Sequence, residues 1–445
     1  MFGTSGVRGP VGEEVTADTA LSLGRAVGST YEGRIVVGRD ARPSGEWLQS
    51  ALVAGLRECG VDVVDVGTVA TPTLARSVPR HDAAAGVIVT ASHNPPRDNG
   101  FKFWTADGRA IGPERRRDLT NRVCSRQFDL QSWEGTGDLT TDDDARAAHR
   151  RAVVDATADV DSLTVVVDVG NGMGDVTVDA LRALGCDVRT LDAEADGSFP
   201  ARPSEPTADH CELLARTVAS TGADLGVAHD GDADRAMAVT ESGSFVAGDV
   251  LLALFGREAA DNGDRVAAPV NTSLAVDEAL DQVGASVTRT QVGDVHVAER
   301  ASEDDVAFGG EPSGAWIWPD EAPCPDGALA ACRLAALVDR RGSLDDLVDA
   351  VPRYPMRRVA VETDEKSELV RGVREQVSEA YDDADVTTTD GLHVETDEGW
   401  FLVRASGTQP LVRVTAQGET DAATDDLLDA ATDLVERARP RATPE

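Results

Sequence analysis

Two short segments of this chain hold the residue types that phosphoryl transfer needs. Thr90-Ala91-Ser92-His93-Asn94-Pro95 offers a hydroxyl able to take a phosphoryl group, and Asp230-Gly231-Asp232-Ala233-Asp234-Arg235 offers three alternating carboxylates. Oxygen ligands of that kind suit Mg²⁺, and a cation beside a phosphorylated hydroxyl neutralises charge on the transferring oxygens. Each segment also has a plainer reading. A serine ahead of Asn-Pro commonly caps a turn, and alternating aspartates in an acidic chain can be a solvated loop. An EF-hand is a further alternative, because Asp230, Asp232, Asp234 and Glu241 fall at its first, third, fifth and twelfth positions. Arg235 stands where that loop requires glycine, and a strand rather than a helix precedes it.

Arg404-Ala405-Ser406-Gly407-Thr408-Gln409-Pro410, followed by Arg413, is a third candidate. Two arginines, two hydroxyls and a glycine-exposed backbone suit a phosphate dianion, with an ordinary surface turn as the alternative. Gly170-Asn171-Gly172-Met173-Gly174 lacks the spacing of a dinucleotide fingerprint and reads as a tight strand-to-helix turn.

The elements around these segments place them at strand ends. Residues 83–90 read as a short buried strand, so Ser92 lies just past its carboxyl end, where ligands of open α/β sheets gather. Residues 223–228 do the same for the aspartates. A repeat runs through the chain: strand, helix closed by glycine, strand. It appears at residues 34–66, 164–191 and 265–292, with Gly60, Gly185 and Gly284 as helix-closing signals. Each unit continues into a further helix and a strand ending in a polar loop, at residues 92–94, 230–232 and 310–314. The expected fold is therefore α/β: three similar domains with mixed sheets (1–150, 151–247, 248–352). An α+β domain (353–445) completes them around a central cleft.

Composition narrows the function. Lys plus Arg total 42 against 79 Asp plus Glu, a net charge of −37, so no nucleic acid or anionic membrane is expected as a partner. Lys102 and Lys366 are the only lysines. Acid spread along the whole length, with arginine as nearly the sole base, reads as adaptation to the salty cytoplasm of a halophilic archaeon. Hydrophobic residues make up 41% of the chain and fall in periodic runs, which argues against disorder. The six cysteines show no metal spacing and read as small core residues of a reduced protein. With no signal peptide or membrane-length apolar run, a cytoplasmic location is expected.

Taken in order, Phe2-Gly3-Thr4-Ser5-Gly6-Val7-Arg8-Gly9, Gly38-Arg39-Asp40-Ala41-Arg42, the Ser92 loop, the Asp230 loop, the loop at Glu311 and the Arg404 loop make the chain resemble the α-D-phosphohexomutase family over its whole length. The resemblance implies an isomerase that moves phosphate between O1 and O6 of a hexose phosphate. The route runs through phosphorylated Ser92 and a hexose 1,6-bisphosphate. It implies Mg²⁺ on Asp230, Asp232, Asp234 and a phosphoserine oxygen, with Lys102, Arg8 and His93 in the reacting site. Arg235, Glu311, Ser313, Arg404, Ser406, Gly407, Thr408 and Arg413 would bind substrate. Lysine, unlike arginine, can change protonation, so Lys102 is the expected acid/base.

Three departures stand out: Ala315 where many relatives carry histidine, Gln409 and Leu411 in the phosphate loop, and Asp294 where several phosphomannomutases have histidine. The last favours glucosamine phosphate as substrate over mannose or glucose phosphate. A phosphatase and a non-catalytic sugar-phosphate binder are the alternatives.

Overall fold

A computed structural model describes residues 3, 6–380, 385–406 and 410–439. Its first unit runs β1 (Val7–Pro10), α1 (Ala17–Gly28), β2 (Arg34–Arg39), α2 (Gly45–Glu58), β3 (Asp62–Thr68), α3 (Thr71–Arg80), β4 (Ala85–Val89), β5 (Asp98–Thr105), α4 (Pro113–Ser125), β6 (Leu139–Thr141) and α5 (Ala145–Asp155). The six strands form one mixed sheet in the order β1-β5-β4-β2-β3-β6.

The second unit runs β7 (Thr164–Asp168), α6 (Asp175–Ala183), β8 (Asp187–Leu191), α7 (Glu212–Thr221), β9 (Leu225–His229) and β10 (Ala236–Thr240). The third runs α8 (Gly248–Ala259), β11 (Arg265–Pro269), α9 (Leu274–Asp281), β12 (Ser286–Thr290), α10 (Asp294–Ala301), β13 (Val306–Glu311), β14 (Ala315–Ile317), α11 (Gly327–Arg341) and α12 (Leu344–Asp349). Their sheets, β10-β9-β7-β8 and β14-β13-β11-β12, repeat the β5-β4-β2-β3 portion of the first. In each, three parallel strands are joined by an antiparallel return strand.

This shared topology puts one functional loop in the same place three times, at the turn from the third parallel strand into the return strand. The loops are residues 90–97, 230–235 and 312–314. Burial explains why the preceding strands read as continuous apolar runs. Every residue of β4 and β9 is buried, as expected of parallel strands covered on both faces. The helix-closing glycines also behave as expected, with φ of 83° at Gly60, 104° at Gly185 and 76° at Gly284, a region where side chains are strained.

The fourth unit is α+β: β15 (Met356–Glu362), α13 (Lys366–Ala380), β16 (Asp385–Thr387), β17 (Leu392–Thr396), β18 (Gly399–Ala405), β19 (Leu411–Gly418) and α14 (Asp421–Ala438). Its antiparallel sheet has the order β15-β19-β18-β17-β16. The second and third units share one apolar core that includes Val165, Leu225, Phe308, Trp316 and Leu334, whereas the fourth has its own around Phe401 and Val414. Residue 150 falls inside α5, and the next stretch without helix or strand is 156–163. Five cysteines are buried and Cys124 is exposed; all are free. Among the described residues no helix is long and apolar enough to cross a membrane.

Candidate active site

Ser92 sits three residues past the end of β4 with φ of 52°, in the left-handed region that a non-glycine residue adopts only when its surroundings dictate it. Those surroundings are specific. Its amide donates to Thr90 Oγ1 at 2.9 Å, and its carbonyl accepts from Arg42 Nη2 at 2.8 Å and from Ser204 Oγ at 3.0 Å. The hydroxyl is left pointing at the second unit, where it donates to Asp230 Oδ2 at 2.8 Å.

The aspartates lie between β9 and β10. All three are buried, and one oxygen from each lies within 4.8 Å of the others. Asp232 Oδ2 accepts from Thr71 Oγ1 at 2.5 Å and from Lys102 Nζ at 2.8 Å, and Asp234 Oδ2 accepts from the same ammonium at 2.5 Å. Asp232 Oδ1 is buried with no hydrogen-bond partner. An orphaned carboxylate oxygen in a buried acidic cluster is costly unless a cation completes it. Burial, then Asp234 and Asp232, push the Asp230 carboxyl well above the usual range. The donor set thus fits a small oxygen-seeking divalent ion. No EF-hand forms: Glu241 lies beyond β10 and accepts from the amide of Asp345 at 3.2 Å.

Lys102 is held at this cluster by β5, whose pairing with β4 sets it opposite Ile88. Burial disfavours its ammonium, yet Asp232 and Asp234 outweigh that cost and raise its pKa above the usual lysine value. His93 Nδ1 is 3.5 Å from Ser92 Oγ. Burial, followed by the charges of Arg235, Arg8 and Lys102, lowers the His93 pKa to about 2, so its ring is neutral. Arg8, opposite Gly100 in the β1–β5 pairing, has a buried Nε without a hydrogen-bond partner. The Ser92 hydroxyl therefore lies between a carboxylate, Asp230, and a histidine that is within charge range of Arg235, Arg8 and Lys102.

Arg235 links this cluster to the third unit. It bridges Ala315 through the backbone, and burial disfavours its charge less than Asp230, Asp234 and Glu311 favour it. Burial raises the pKa of Glu311, an effect that Arg235 opposes, Asp294 reinforces and Ser313 and Arg404 oppose. Ala315, itself buried, pairs with Glu311 across β13–β14. Trp316 donates Nε1 to the carbonyl of Ala236 at 2.7 Å and packs on Phe255 and Phe308. It is a core residue.

In the fourth unit Arg404 and Arg413 are directly opposed on β18 and β19. Like charges so placed repel; Arg404 is partly balanced by Asp390 Oδ2 at 3.0 Å. Ser406 is buried, and its carbonyl accepts from Lys366 Nζ at 2.6 Å. Gly407 and Thr408 lie outside the described residues. Ser92, His93, Lys102, Arg8, the three aspartates and Arg235 thus form one cluster. Glu311 and Ser313 adjoin it through Arg235, and Arg404 lies within charge range of Glu311.

Comparison with known proteins agrees with this architecture. Residues 1–129, 147–243 and 247–354 match "Phosphoglucomutase/phosphomannomutase, alpha/beta/alpha" domains I, II and III, and residues 356–434 match the C-terminal domain of the same family. A probable phosphoglucosamine mutase of Methanopyrus kandleri is 44% identical over 98% of both chains. The chain belongs to the phosphoglucomutase/phosphomannomutase family. It is a phosphohexomutase, an isomerase. Another probable phosphoglucosamine mutase, from Methanothermobacter thermautotrophicus, is also 44% identical, over 95% of this chain and 94% of its own. A crystal structure of a family member from Burkholderia thailandensis superposes with a TM-score of 0.88 at 29% identity, covering 100% of this chain and 99% of that one.

Several site residues carried no sequence signal of their own. Thr71, at the start of α3, grips Asp232 from the first unit; Ser204 ties Ser92 to the amide of Gly231 at 3.0 Å. Both are common residue types in unremarkable contexts. Lys366 had one available signal, its rarity. The glycine turn proves to be a close approach: a Cβ at Gly172 would lie 2.8 Å from the carbonyl oxygen of Gly231.

Proposed function

We propose that this phosphohexomutase interconverts the 1- and 6-phosphates of glucosamine, with Ser92 as the phosphoryl carrier. The observation that carries the reading is the Ser92 hydroxyl, aimed by a left-handed backbone at Asp230 Oδ2 from 2.8 Å inside a cluster of metal-type carboxylates. The aspartates and a phosphoserine oxygen would hold Mg²⁺, which supplies charge neutralisation for the transferring oxygens.

In the first half-reaction the Ser92 Oγ–P bond breaks while phosphorus bonds to the free O1 or O6 of the sugar phosphate. The sugar hydroxyl proton leaves for a base, and the electron pair of the broken bond goes to Ser92 Oγ. The hexose 1,6-bisphosphate then turns over, and the other phosphoryl group returns to Ser92 by the reverse step. Arg8 and Lys102 neutralise the transferring group. Lys102, an ammonium beside Asp232 and Asp234, gives a proton to the leaving Ser92 Oγ and is reloaded by the sugar hydroxyl proton, and His93, neutral and near Oγ, lines the nucleophile. Arg235, Glu311 and Ser313 hold the sugar. Arg404, Ser406, Gly407, Thr408 and Arg413 hold the phosphate that is not reacting.

Glucosamine phosphate is favoured by the names of the similar proteins, phosphoglucosamine mutases at 37–44% identity. Asp294 supports an amino sugar too, as a carboxylate within charge range of Arg235 and Glu311. The chain divides within residues 156–163 rather than at 150, and near 247 and 352, works in the cytoplasm, and carries the acidic surface of a salt-adapted protein, although the two probable phosphoglucosamine mutases named above come from methanogens.

The test is turnover of glucosamine, N-acetylglucosamine, mannose and glucose phosphates in high KCl with Mg²⁺ and a 1,6-bisphosphate primer. Glucosamine 6-phosphate should give the highest kcat/KM. A preference for mannose phosphate would reject the sugar assignment, and stoichiometric phosphate release would reject a mutase.

A further inference from the structure

The Ser92 loop is held by a residue that touches none of the reacting atoms. Arg42 follows β2, is 1% exposed, and spends its whole guanidinium on backbone and one carboxylate. Nη1 donates to the carbonyls of Pro95 and Asp98 at 2.7 and 2.9 Å, and Nη2 to those of Ser92 and Asn94 at 2.8 and 2.7 Å. Nε donates to Asp40 Oδ2 at 3.1 Å; the same oxygen accepts from Thr90 Oγ1, which in turn accepts from the Ser92 amide. One planar fork therefore sets four carbonyls of the loop. No lysine could do this, having three rotatable donors on one atom.

The guanidinium is capped by the second unit. Its carbon lies 4.9 Å from the centre of the Phe199 ring, a cation–π distance. Phe199 has φ of 48°, an outlier for a bulky side chain, and is buried. Its ring also reaches the metal-type loop: a Cβ at Gly231 would meet Phe199 Cζ at 2.9 Å and the Ser92 carbonyl at 2.8 Å. The backbone approaches as closely, since a Cβ at Gly197 would lie 2.3 Å from Arg42 Cα. Two strained residues, Ser92 and Phe199, thus face each other across Arg42, with the carboxylate loop against both.

We infer that Arg42 and Phe199 are positioning residues that lock the phosphoserine loop in register with the carboxylate loop of the neighbouring unit, so that Ser92 Oγ is aimed for transfer. The inference rests on the assignment of Ser92 as carrier. Loss of the fork lets Ser92 relax from its left-handed backbone and swings Oγ away from Asp230. Misplacement by about 1 Å costs on the order of 10²-fold in rate. Sugar binding, which depends on other loops, is little affected.

The test measures phosphorylation of Ser92 from glucose 1,6-bisphosphate by quenched-flow intact mass, alongside kcat, KM and thermal stability. The variants are Arg42→Lys, Arg42→Gln and Phe199→Leu. Both Arg42 variants should form phosphoenzyme about 10²-fold more slowly with KM within about threefold of wild type. Phe199→Leu keeps every hydrogen bond of the fork and should slow it about three- to tenfold. Should the Arg42 variants fail to fold, Phe199→Leu carries the test. Wild-type phosphorylation rates in a folded Arg42→Lys or in Phe199→Leu, or a loss confined to KM, would overturn the inference. No phosphorylation of Ser92 in wild type would instead overturn the carrier assignment.

Discussion

The two ends of this site manage charge in opposite ways. At Ser92 and the aspartates, buried charges are set against one another: Lys102 lies between Asp232 and Asp234, and Thr71, Ser204 and Arg42 fix the surrounding loops from two different units. At the fourth unit, two guanidiniums, Arg404 and Arg413, are placed opposite each other on β18 and β19, with Arg404 donating to Asp390 and Arg413 exposed. The first arrangement is preorganised, so that a charge developing during transfer meets fixed partners. The second sets two guanidiniums side by side on a strand pair, which under the proposed function suits a phosphate dianion. Under that same function, one end serves chemistry and the other holding.

That contrast is broken most easily at the aspartates. Asp232→Asn removes one ionised ligand and leaves Lys102 with a single carboxylate partner; kcat should fall about 10³-fold with KM little changed, and saturating Mg²⁺ should restore only part of it. Undiminished turnover in excess EDTA would place the aspartates outside the chemistry. Lys102→Arg keeps the charge at the same end but withholds easy proton transfer, so a fall of about 10²-fold in kcat is expected. Full kcat in that variant would reduce the role of Lys102 to neutralisation alone.

The holding end should respond in KM instead. Arg413→Gln is expected to raise KM roughly tenfold or more while kcat stays within about twofold, the loss of one charge-assisted phosphate contact. A kcat effect as large as that of Asp232→Asn would erase the distinction between the two ends.

The smallest effect at neutral pH concerns the scaffold behind the chemical end. α3 begins at Thr71 and continues to Thr73 and Arg76. His149 accepts or donates at Thr73 Oγ1 (2.8 Å) and at Asp326 Oδ2 (3.0 Å), where Arg76 Nε also donates at 2.8 Å. Burial raises the Asp326 pKa, but His149 and Arg76 outweigh it, leaving the carboxyl well below the usual range. Because the folded-state pKa is depressed, the stabilisation is fully present above the unfolded value of about 4 and is lost as pH falls below it. Thermal melts of wild type and Asp326→Asn should therefore differ at pH 7, and the difference should narrow progressively as the pH falls below about 4. A constant difference across that range would exclude the ionised pair as its source.

Much of this organisation was legible in the chain itself. The threefold repeat announced itself through apolar strands and helix-closing glycines, because buried parallel strands and left-handed caps restrict residue choice strongly. The Ser92 and Asp230 loops were legible as motifs because hydroxyl, carboxylate and lysine types are scarce in the required spacing. What stayed hidden were contacts between units. Thr71 to Asp232 spans 161 positions and Ser204 to Ser92 spans 112, and a threonine or serine looks the same in a sequence whether it caps a turn or steers a carboxylate. The role of Trp316 was hidden for a related reason: only the three-dimensional packing shows that it enters the core against Phe255 and Phe308.

The central claim is that Ser92 carries the phosphoryl group between the two positions of the sugar. Its most direct test is to load the protein with ³²P from a hexose 1,6-bisphosphate, locate the label by peptide mass, and add glucosamine 6-phosphate in a single turnover. The label should sit on Ser92 alone and pass to sugar bisphosphate without release of inorganic phosphate, and Ser92→Ala should take up none and lose at least about 10⁴-fold in kcat. Near-wild-type mutase activity in Ser92→Ala, or label on any other residue, would contradict the account.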